Sequence, residues 1–301
     1  MDNNIIYNED CITGLKKLDT NSVDGCITDP PYNYEFIGHK WNNEEIERRV
    51  SRVQNSSTLV KHIPYGSGLS GGKRDANWYR KNRKNILDYG KWVEKWAVEV
   101  YRVLKPGAFC LVFNSSRTIA HVQIALENVG FYTKDILVYK KNSGIPKGIN
   151  ISKKLEKLGI DNFQDWSGWH SCLRNEWESI VLVQKPLLNN HIETLEKYEI
   201  GLLKATHSEG FLSNIIDSVK RDKKDDFNNH TTVKPVELIY KLIELTIPKR
   251  VSKIVLDPFM GSGTLAIAAI KYGVSYIGFE ISSDYCNIIK KRIDNLQNNL
   301  F

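Results

Sequence analysis

The stretch Leu256-Asp257-Pro258-Phe259-Met260-Gly261-Ser262-Gly263-Thr264 decides the fold, because a strand gives way to a helix within it. Lys253 to Leu256 is a compact apolar run that reads as a buried strand, and Thr264 to Tyr272 reads as a helix closed by Gly273. Glycines at that turn let the backbone pass close to a ligand, and a helix N-terminus offers N–H groups to a negative group. The next strand, Tyr276 to Phe279, leads into Glu280, 17 residues beyond Gly263. An acid there can accept hydrogen bonds from both hydroxyls of a ribose. Strand, GxG, helix, strand and terminal acid together make a nucleoside-binding half-site. NAD is one candidate ligand, although Ala266 stands where the dinucleotide fingerprint has its third glycine. A P-loop is excluded, since no Gly-Lys-Ser/Thr follows the glycines.

Working outward, the same alternation recurs. Val23 to Thr28 is a short strand ended by Asp29, and Pro30 and Pro31 forbid its extension. Asp88 to Leu104 reads as a helix with Trp92, Val93, Trp96, Ala97, Val100, Val103 and Leu104 near one face. Lys105-Pro106-Gly107 is expected to stop it, with Ala108 to Phe113 a buried strand. Ser116 to Val129 is a helix closed by Gly130, and Ile136 to Tyr139 another strand. Ile180 to Gln184 is strand-like. Pro235 to Leu245 is a helix with proline in its first turn, and Asp284 to Leu296 a final amphipathic helix. Strands alternating with crossover helices mean an α/β fold with a mainly parallel sheet.

Two stretches break the rhythm. Residues 33–87 are polar and basic, with Gly66-Ser67-Gly68 and Ser70-Gly71-Gly72 at their centre, and read as a long loop. Within it Trp78, Tyr79, Arg80, Lys81, Arg83 and Lys84 interleave rings and cations, which suits nucleic acid as well as plain solvation. Residues 143–229 show little periodicity apart from Ile180 to Gln184.

The totals narrow the class. A chain of 301 residues with 41% hydrophobic residues forms one large domain, or a core with a smaller insert. Its 42 basic and 35 acidic residues give a net charge of +7, which suits a polyanionic partner and equally serves solubility. The five cysteines (Cys11, Cys26, Cys110, Cys172 and Cys286) form no CxxC pair, which argues against a disulfide framework and a zinc site; no metal is expected. The opening MDNNIIYNED does not read as a signal peptide, and no apolar run approaches the roughly 20 residues that span a bilayer. A soluble, cytoplasmic protein without a membrane partner is expected.

Asp29-Pro30-Pro31-Tyr32, together with Phe259-x-Gly261-x-Gly263, resembles the amino-group DNA methyltransferases that modify adenine N6 or cytosine N4. The order, with DPPY first and the glycine loop more than two hundred residues later, is similar to the circularly permuted beta group of that family. Asn8-Glu9-Asp10-Cys11 resembles the family's N-terminal acidic motif, whose aspartate contacts the cofactor adenine. His230-Thr231-Thr232-Val233-Lys234-Pro235 resembles the motif that helps hold the cofactor's methionine end. The match spans residues 5–142 and 230–285. It implies a seven-stranded, mainly parallel, doubly wound sheet of the S-adenosylmethionine-dependent methyltransferase type. The implied division is a catalytic half over 1–142, a target-recognition region over 143–229 (with 180–184 a strand of the main sheet) and a cofactor half over 230–301. The resemblance further implies S-adenosylmethionine as cofactor and double-stranded DNA as partner, and leaves open a homodimer and a restriction endonuclease partner. Asp10, Cys11, Asp29, His230, Thr231, Thr232, Lys234, Asp257, Phe259, Gly261, Ser262, Gly263, Thr264 and Glu280 are the cofactor-site candidates.

The chemistry accounts for the catalytic candidates Asp29, Pro30, Pro31 and Tyr32. An exocyclic amine conjugated to a base is a poor nucleophile, because its lone pair is delocalised into the ring. Two acceptors aimed at its hydrogens, the Asp29 carboxylate and the Pro30 carbonyl, would localise that lone pair for in-line attack on a sulfonium methyl. The diproline fixes the carbonyl's direction, and Tyr32 offers a ring to a base rotated out of the helix. None of the cysteines follows a proline, which excludes the C5-cytosine mechanism and its cysteine nucleophile.

The leading aspartate favours adenine N6, with cytosine N4 the alternative. RNA or protein-glutamine methylation, a catalytically silent DNA-binding protein and an NAD enzyme are the remaining readings. Lys141, Lys147, Lys153, Lys154, Lys157 and Arg174 beside Trp166, Trp169 and Trp177 point to DNA contact by residues 142–178, with 186–229 sharing target choice. Those tryptophans forming a small local core is the plainer alternative.

Overall fold

The structure, a computed structural model, describes residues 4–32, 76–141, 148–208, 210–217, 219 and 233–298. The strands are β1 (Ile5–Tyr7), β2 (Val23–Thr28), β3 (Leu104–Asn114), β4 (Tyr132–Lys140), β5 (Trp177–Gln184), β6 (Thr206–His207), β7 (Gly210–Phe211), β8 (Ile215–Ile216), β9 (Ile254–Asp257) and β10 (Ser275–Phe279). The helices are α1 (Cys11–Leu15), α2 (Ala76–Val103), α3 (Ile119–Val129), α4 (Ile151–Glu156), α5 (His191–Tyr198), α6 (Val236–Thr246), α7 (Thr264–Tyr272) and α8 (Ser283–Asn298), with a 3-10 turn over Asp161–Trp166.

The main sheet runs β1, β10, β9, β2, β3, β5, β4, β8. Pairing is parallel from β1 to β3, antiparallel through β5, and parallel again between β4 and β8. The seven expected strands are thus joined by an eighth. Ile215 and Ile216 pair with Val138 and Tyr139, which caps an edge that would otherwise expose its backbone groups. Ile27, Phe109, Leu111 and Phe113 face a core shared with α6, α7 and α8, through Leu242, Leu265 and Ile289. Cys26, Cys110 and Val112 face the opposite core, shared with α1, α2 and α3 through Leu15, Trp96 and Leu126. Alternate strand residues therefore feed two apolar layers, which makes the sheet doubly wound.

Three local expectations are corrected. Residues 76–87 are helical rather than loop, because α2 begins at Ala76 and passes without a break into the buried Tyr89, Val93 and Trp96 stripe. Trp78, Tyr79, Arg80, Lys81, Arg83 and Lys84 accordingly lie on a helix, and Arg80, Arg83 and Lys84 are exposed. Lys105-Pro106-Gly107 does not separate helix from strand. It sits inside β3 at a bulge, where Leu104 pairs with Val23 while Phe109 pairs with Gly25. A bulge tolerates the proline's missing donor, and Gly107 takes φ +84° there. Pro235 caps α6 from outside instead of occupying its first turn. The glycine loop at 261–273 folds as read, with α7 bounded by Gly263 and Gly273, both left-handed.

The chain order places β2 and β9 side by side at the centre, one continuing toward β3 and the other toward β10. This is a topological switch point, where an open α/β sheet leaves a crevice beyond the carboxyl ends of its strands.

Candidate active site

That crevice is lined by Thr28, Asp29, Phe113, Lys234, Asp257, Phe259, Gly261 and Thr264, among others. The DPPY segment and the glycine loop are brought together by the β2–β9 pairing. Cys26 is in register with Leu256, and the Thr28 hydroxyl donates to Asp257 Oδ1 at 2.7 Å.

The β9–β10 side is built from acids satisfied by backbone. Asp257 Oδ1 also accepts the Phe259 N–H at 2.9 Å. Burial pushes the Asp257 carboxyl up to about 7 against the pull of Thr28 and Phe259. Glu280 accepts the Gly261 N–H and the Ser282 N–H, both at 2.8 Å. Burial raises it to about 7 as well, although the N–H groups of Ser282, Gly261 and Ile281 oppose this. Arg292 of α8 holds the start of α7 by donating to the Ser262 carbonyl at 2.7 Å and to the Ser262 and Thr264 hydroxyls at 3.3 and 3.4 Å. Phe259 is clamped by Trp92 and Trp96 of α2, with ring centroids 5.5 Å away in each case.

The β2–β5 side is built from ion pairs. Lys234, buried just before α6, pairs with Asp29 Oδ2 and lies 3.3 Å from Glu178 Oε2. Glu178 Oε1 in turn takes Lys141 Nζ at 2.5 Å. Burial disfavours the Lys234 ammonium, yet Asp29 and Glu178 hold its pKa above the usual lysine range. Burial likewise disfavours the Glu178 carboxylate, but Lys234 and Lys141 keep its pKa below the ordinary glutamate value. Lys234 Nζ also lies 5.4 Å from the Tyr32 ring centroid and 5.1 Å from that of Phe113. Among the described residues, Asp29 Oδ1, the Tyr32 hydroxyl and Trp96 Nε1 are buried without a hydrogen-bond partner. Burial, then the nearby Asp29 and Glu178 charges, raise the Tyr32 hydroxyl's pKa well above its usual value. A buried acceptor with an open lone pair costs about 1–3 kcal/mol, a cost that a donor entering the crevice would relieve.

The remaining sequence candidates take these places in the fold. Asp10 caps α1, accepting the Thr13 N–H at 3.1 Å, while Cys11 is buried and its thiol pKa is pushed up by burial and by Asp10. Lys234, read as a holder of the cofactor's methionine end, lies on the Asp29 carboxylate. Arg174 is paired with Glu176 inside its own segment. Trp166 and Trp169 contact each other at 6.0 Å but remain 42% and 62% exposed, so they are not a closed core. His230, Thr231, Thr232 and Lys147 lie outside the described residues. Glu178 escaped the sequence reading, because nothing local distinguishes it from any strand-end acid. Its one signal is the position just before the apolar run Ser179 to Gln184.

Comparison with known proteins agrees with this geometry. Residues 23–291 match a family model described as DNA methylase of the N6/N4 type. The Type II methyltransferase M.HindIII of Haemophilus influenzae is 34% identical over 98% of this chain and 97% of its own. M.HinfI of the same species is 25% identical over 98% of this chain and 70% of its own. Among solved structures, the M1.HpyAVI–SAM complex superposes with a TM-score of 0.55 at 21% identity, covering 96% of this chain and 98% of that one. The cytosine-N4-specific PvuII DNA methyltransferase gives 0.59 at 14% identity, covering 95% and 84%. Motifs, sheet topology and these matches agree that the chain belongs to the N6-adenine/N4-cytosine amino-group family of DNA methylases.

Proposed function

We propose that this DNA methylase transfers a methyl group from S-adenosylmethionine to adenine N6 at specific sites in double-stranded DNA. The observation that carries the proposal is the buried, open Oδ1 of Asp29 at the end of β2, facing the Asp257–Thr264 turn. An amine N–H is the donor this acceptor lacks. The crevice's acids suit the cofactor. Glu280 keeps acceptor capacity for ribose hydroxyls, and Asp257 and Glu280 gain from a cationic neighbour because burial disfavours their ionised forms. When bound, the cofactor supplies an electrophilic methyl on a sulfonium.

The chain's own residues do the rest. Asp29 accepts the amine hydrogen and, with the Pro30 carbonyl, localises the nitrogen lone pair. The half-buried Tyr32 ring, beside Lys234, offers the face on which the extruded base stacks, since an atom within the duplex is out of reach. The Gly261 to Thr264 turn and Glu280 fix the donor nucleoside, leaving approach geometry as the main source of rate. The names of its relatives, Type II methyltransferases, support pairing with a restriction endonuclease. Residues 148–176, with exposed Trp166 and Trp169, support a target-reading role for the 143–229 region.

The test incubates the protein with methyl-labelled S-adenosylmethionine and mixed-sequence duplex DNA, then identifies the labelled nucleoside. N6-methyladenine at one sequence context is expected. N4-methylcytosine would replace the adenine assignment by the cytosine one, which the fold likeness to a cytosine-N4-specific enzyme keeps in view. Unlabelled DNA would overturn the proposal.

A further inference from the structure

The geometry points to Glu178 as a positioning residue that governs how tightly Lys234 holds Asp29. Lys141, Glu178, Lys234 and Asp29 form one chain of alternating charge along the carboxyl edge of the sheet, with Glu178 bridging the two ammonium groups through separate oxygens. The inference rests on the methyl-transfer reading above.

Asp29 needs two properties that conflict. It must remain ionised in a partly buried crevice, which calls for a cation, yet it must also be a good acceptor for the amine, which a tightly bound cation weakens. The arrangement resolves the conflict by division. Lys234 occupies Oδ2 only and leaves Oδ1 open, while Glu178 takes a share of the same ammonium. Two carboxylates facing two ammonium groups leave the cluster neutral. Neutralising Glu178 leaves it one positive charge in excess, draws Lys234 onto Asp29 alone and lowers the acceptor strength of Oδ1. Glu178 also stands where the 142–178 segment rejoins the sheet. Lys141 at its other end donates its backbone N–H to the Glu176 carbonyl at 2.6 Å, so both ends of the segment are fastened at the bridge.

The test compares Glu178→Gln with Glu178→Asp in single-turnover methyl transfer, alongside dissociation constants for S-adenosylmethionine and duplex DNA and thermal midpoints. Glu178→Gln keeps the shape and removes the charge; Glu178→Asp keeps the charge and shortens the reach. The expected result for Glu178→Gln is a single-turnover rate on the order of 10- to 100-fold lower, the scale of one charge-assisted hydrogen bond, with both dissociation constants within about threefold of the parent. Glu178→Asp recovers at least part of that loss. A glutamine variant as fast as the parent, or faster than the aspartate variant at equal folded fraction, would overturn the inference, because packing alone favours the isosteric glutamine. A parent enzyme that transfers no methyl group to DNA defeats the underlying function instead, and is scored before either variant.

Discussion

Two carboxylate pairs face each other across the β2–β9 crevice, and they are stabilised by opposite means. Asp29 and Glu178 are compensated by Lys234 and Lys141. Asp257 and Glu280 form no ion pair among the described residues and rely on backbone N–H groups and the Thr28 hydroxyl. The β2–β5 side therefore carries its own counterions, whereas the β9–β10 side is a set of buried acids whose ionised forms improve when a cation arrives. Under the proposed function, the β9–β10 side is the cofactor side, which takes the sulfonium, and the β2–β5 side is the target side, which takes the neutral amine.

The largest expected effect breaks the target side alone. Asp29→Ala removes the open acceptor while leaving the Gly261 to Thr264 turn and Glu280 intact. Single-turnover methyl transfer should fall by about a thousandfold or more, the scale of a lost electrostatic stabiliser, with calorimetric S-adenosylmethionine binding largely retained. Retained transfer would remove Asp29 from the chemistry.

Next in size is damage to the cofactor side through its backbone. Gly263 has φ +82°, and an added Cβ would lie 2.7 Å from Ile289 Cγ2. Left-handed strain and the clash together should make Gly263→Ala cost about 2–3 kcal/mol in urea unfolding, with weakened cofactor binding. Gly273, at φ +89°, is the control. Its added Cβ would meet only Lys249 Cε at 3.5 Å, so Gly273→Ala should cost roughly 1 kcal/mol and spare binding. Equal losses would show that packing at Ile289 contributes nothing.

The two sides were unequally legible in the sequence, for the same physical reason. The β9–α7–β10 side is local. A strand, a glycine turn and a terminal acid within thirty residues build it, and α7 folds with the Thr264 to Tyr272 bounds read from the sequence. The ion-paired side is assembled from β2, β5 and the approach to α6. Lys234 and Asp29 stand 205 positions apart, so no periodicity or spacing could join them. Local signals also misled at Lys105-Pro106-Gly107, where a pair of turn formers makes a bulge inside β3. Ile5 to Tyr7 was too short to read as a strand, and it becomes one only by pairing with β10. Residues 76–87 lack the apolar periodicity that marks a helix, because α2 draws its stability from the buried stripe downstream.

A third prediction sharpens the contrast by pH. The Asp257 carboxyl is raised from 3.8 to about 7 in the folded protein. Between those values the unfolded chain releases this proton first, so folding loses stability as pH rises, and the loss is complete above about 7. Asp257→Asn removes that titration while its side-chain oxygen still accepts from Thr28 and Phe259. Without cofactor, the variant should match the parent near pH 4 and exceed it at pH 8 by a few kcal/mol, read from urea midpoints. Cofactor affinity should fall, because a carboxylate on the side where the proposed function seats the sulfonium is gone. A variant less stable than the parent at pH 8 would mean that the ionised acid is already compensated, as it is across the crevice.

The smallest effect separates the buried ion pairs from the exposed basic face of α2. Arg83 and Lys84 lie in the helix's exposed early turns, before the stripe that reaches Phe259 through Trp92 and Trp96. If these turns lie against the DNA backbone, each cation displaces a counterion from it. Arg83→Ala with Lys84→Ala should then make the slope of log affinity against log salt shallower by roughly 2, at a few-fold loss of affinity near physiological salt. Because neither residue reaches the crevice, the methyl-transfer rate at saturating DNA should stay at the parent value. A reduced rate with an unchanged salt slope would mean that the early turns act through the Trp92–Phe259 contact, and would place α2 with the cofactor side instead of the DNA.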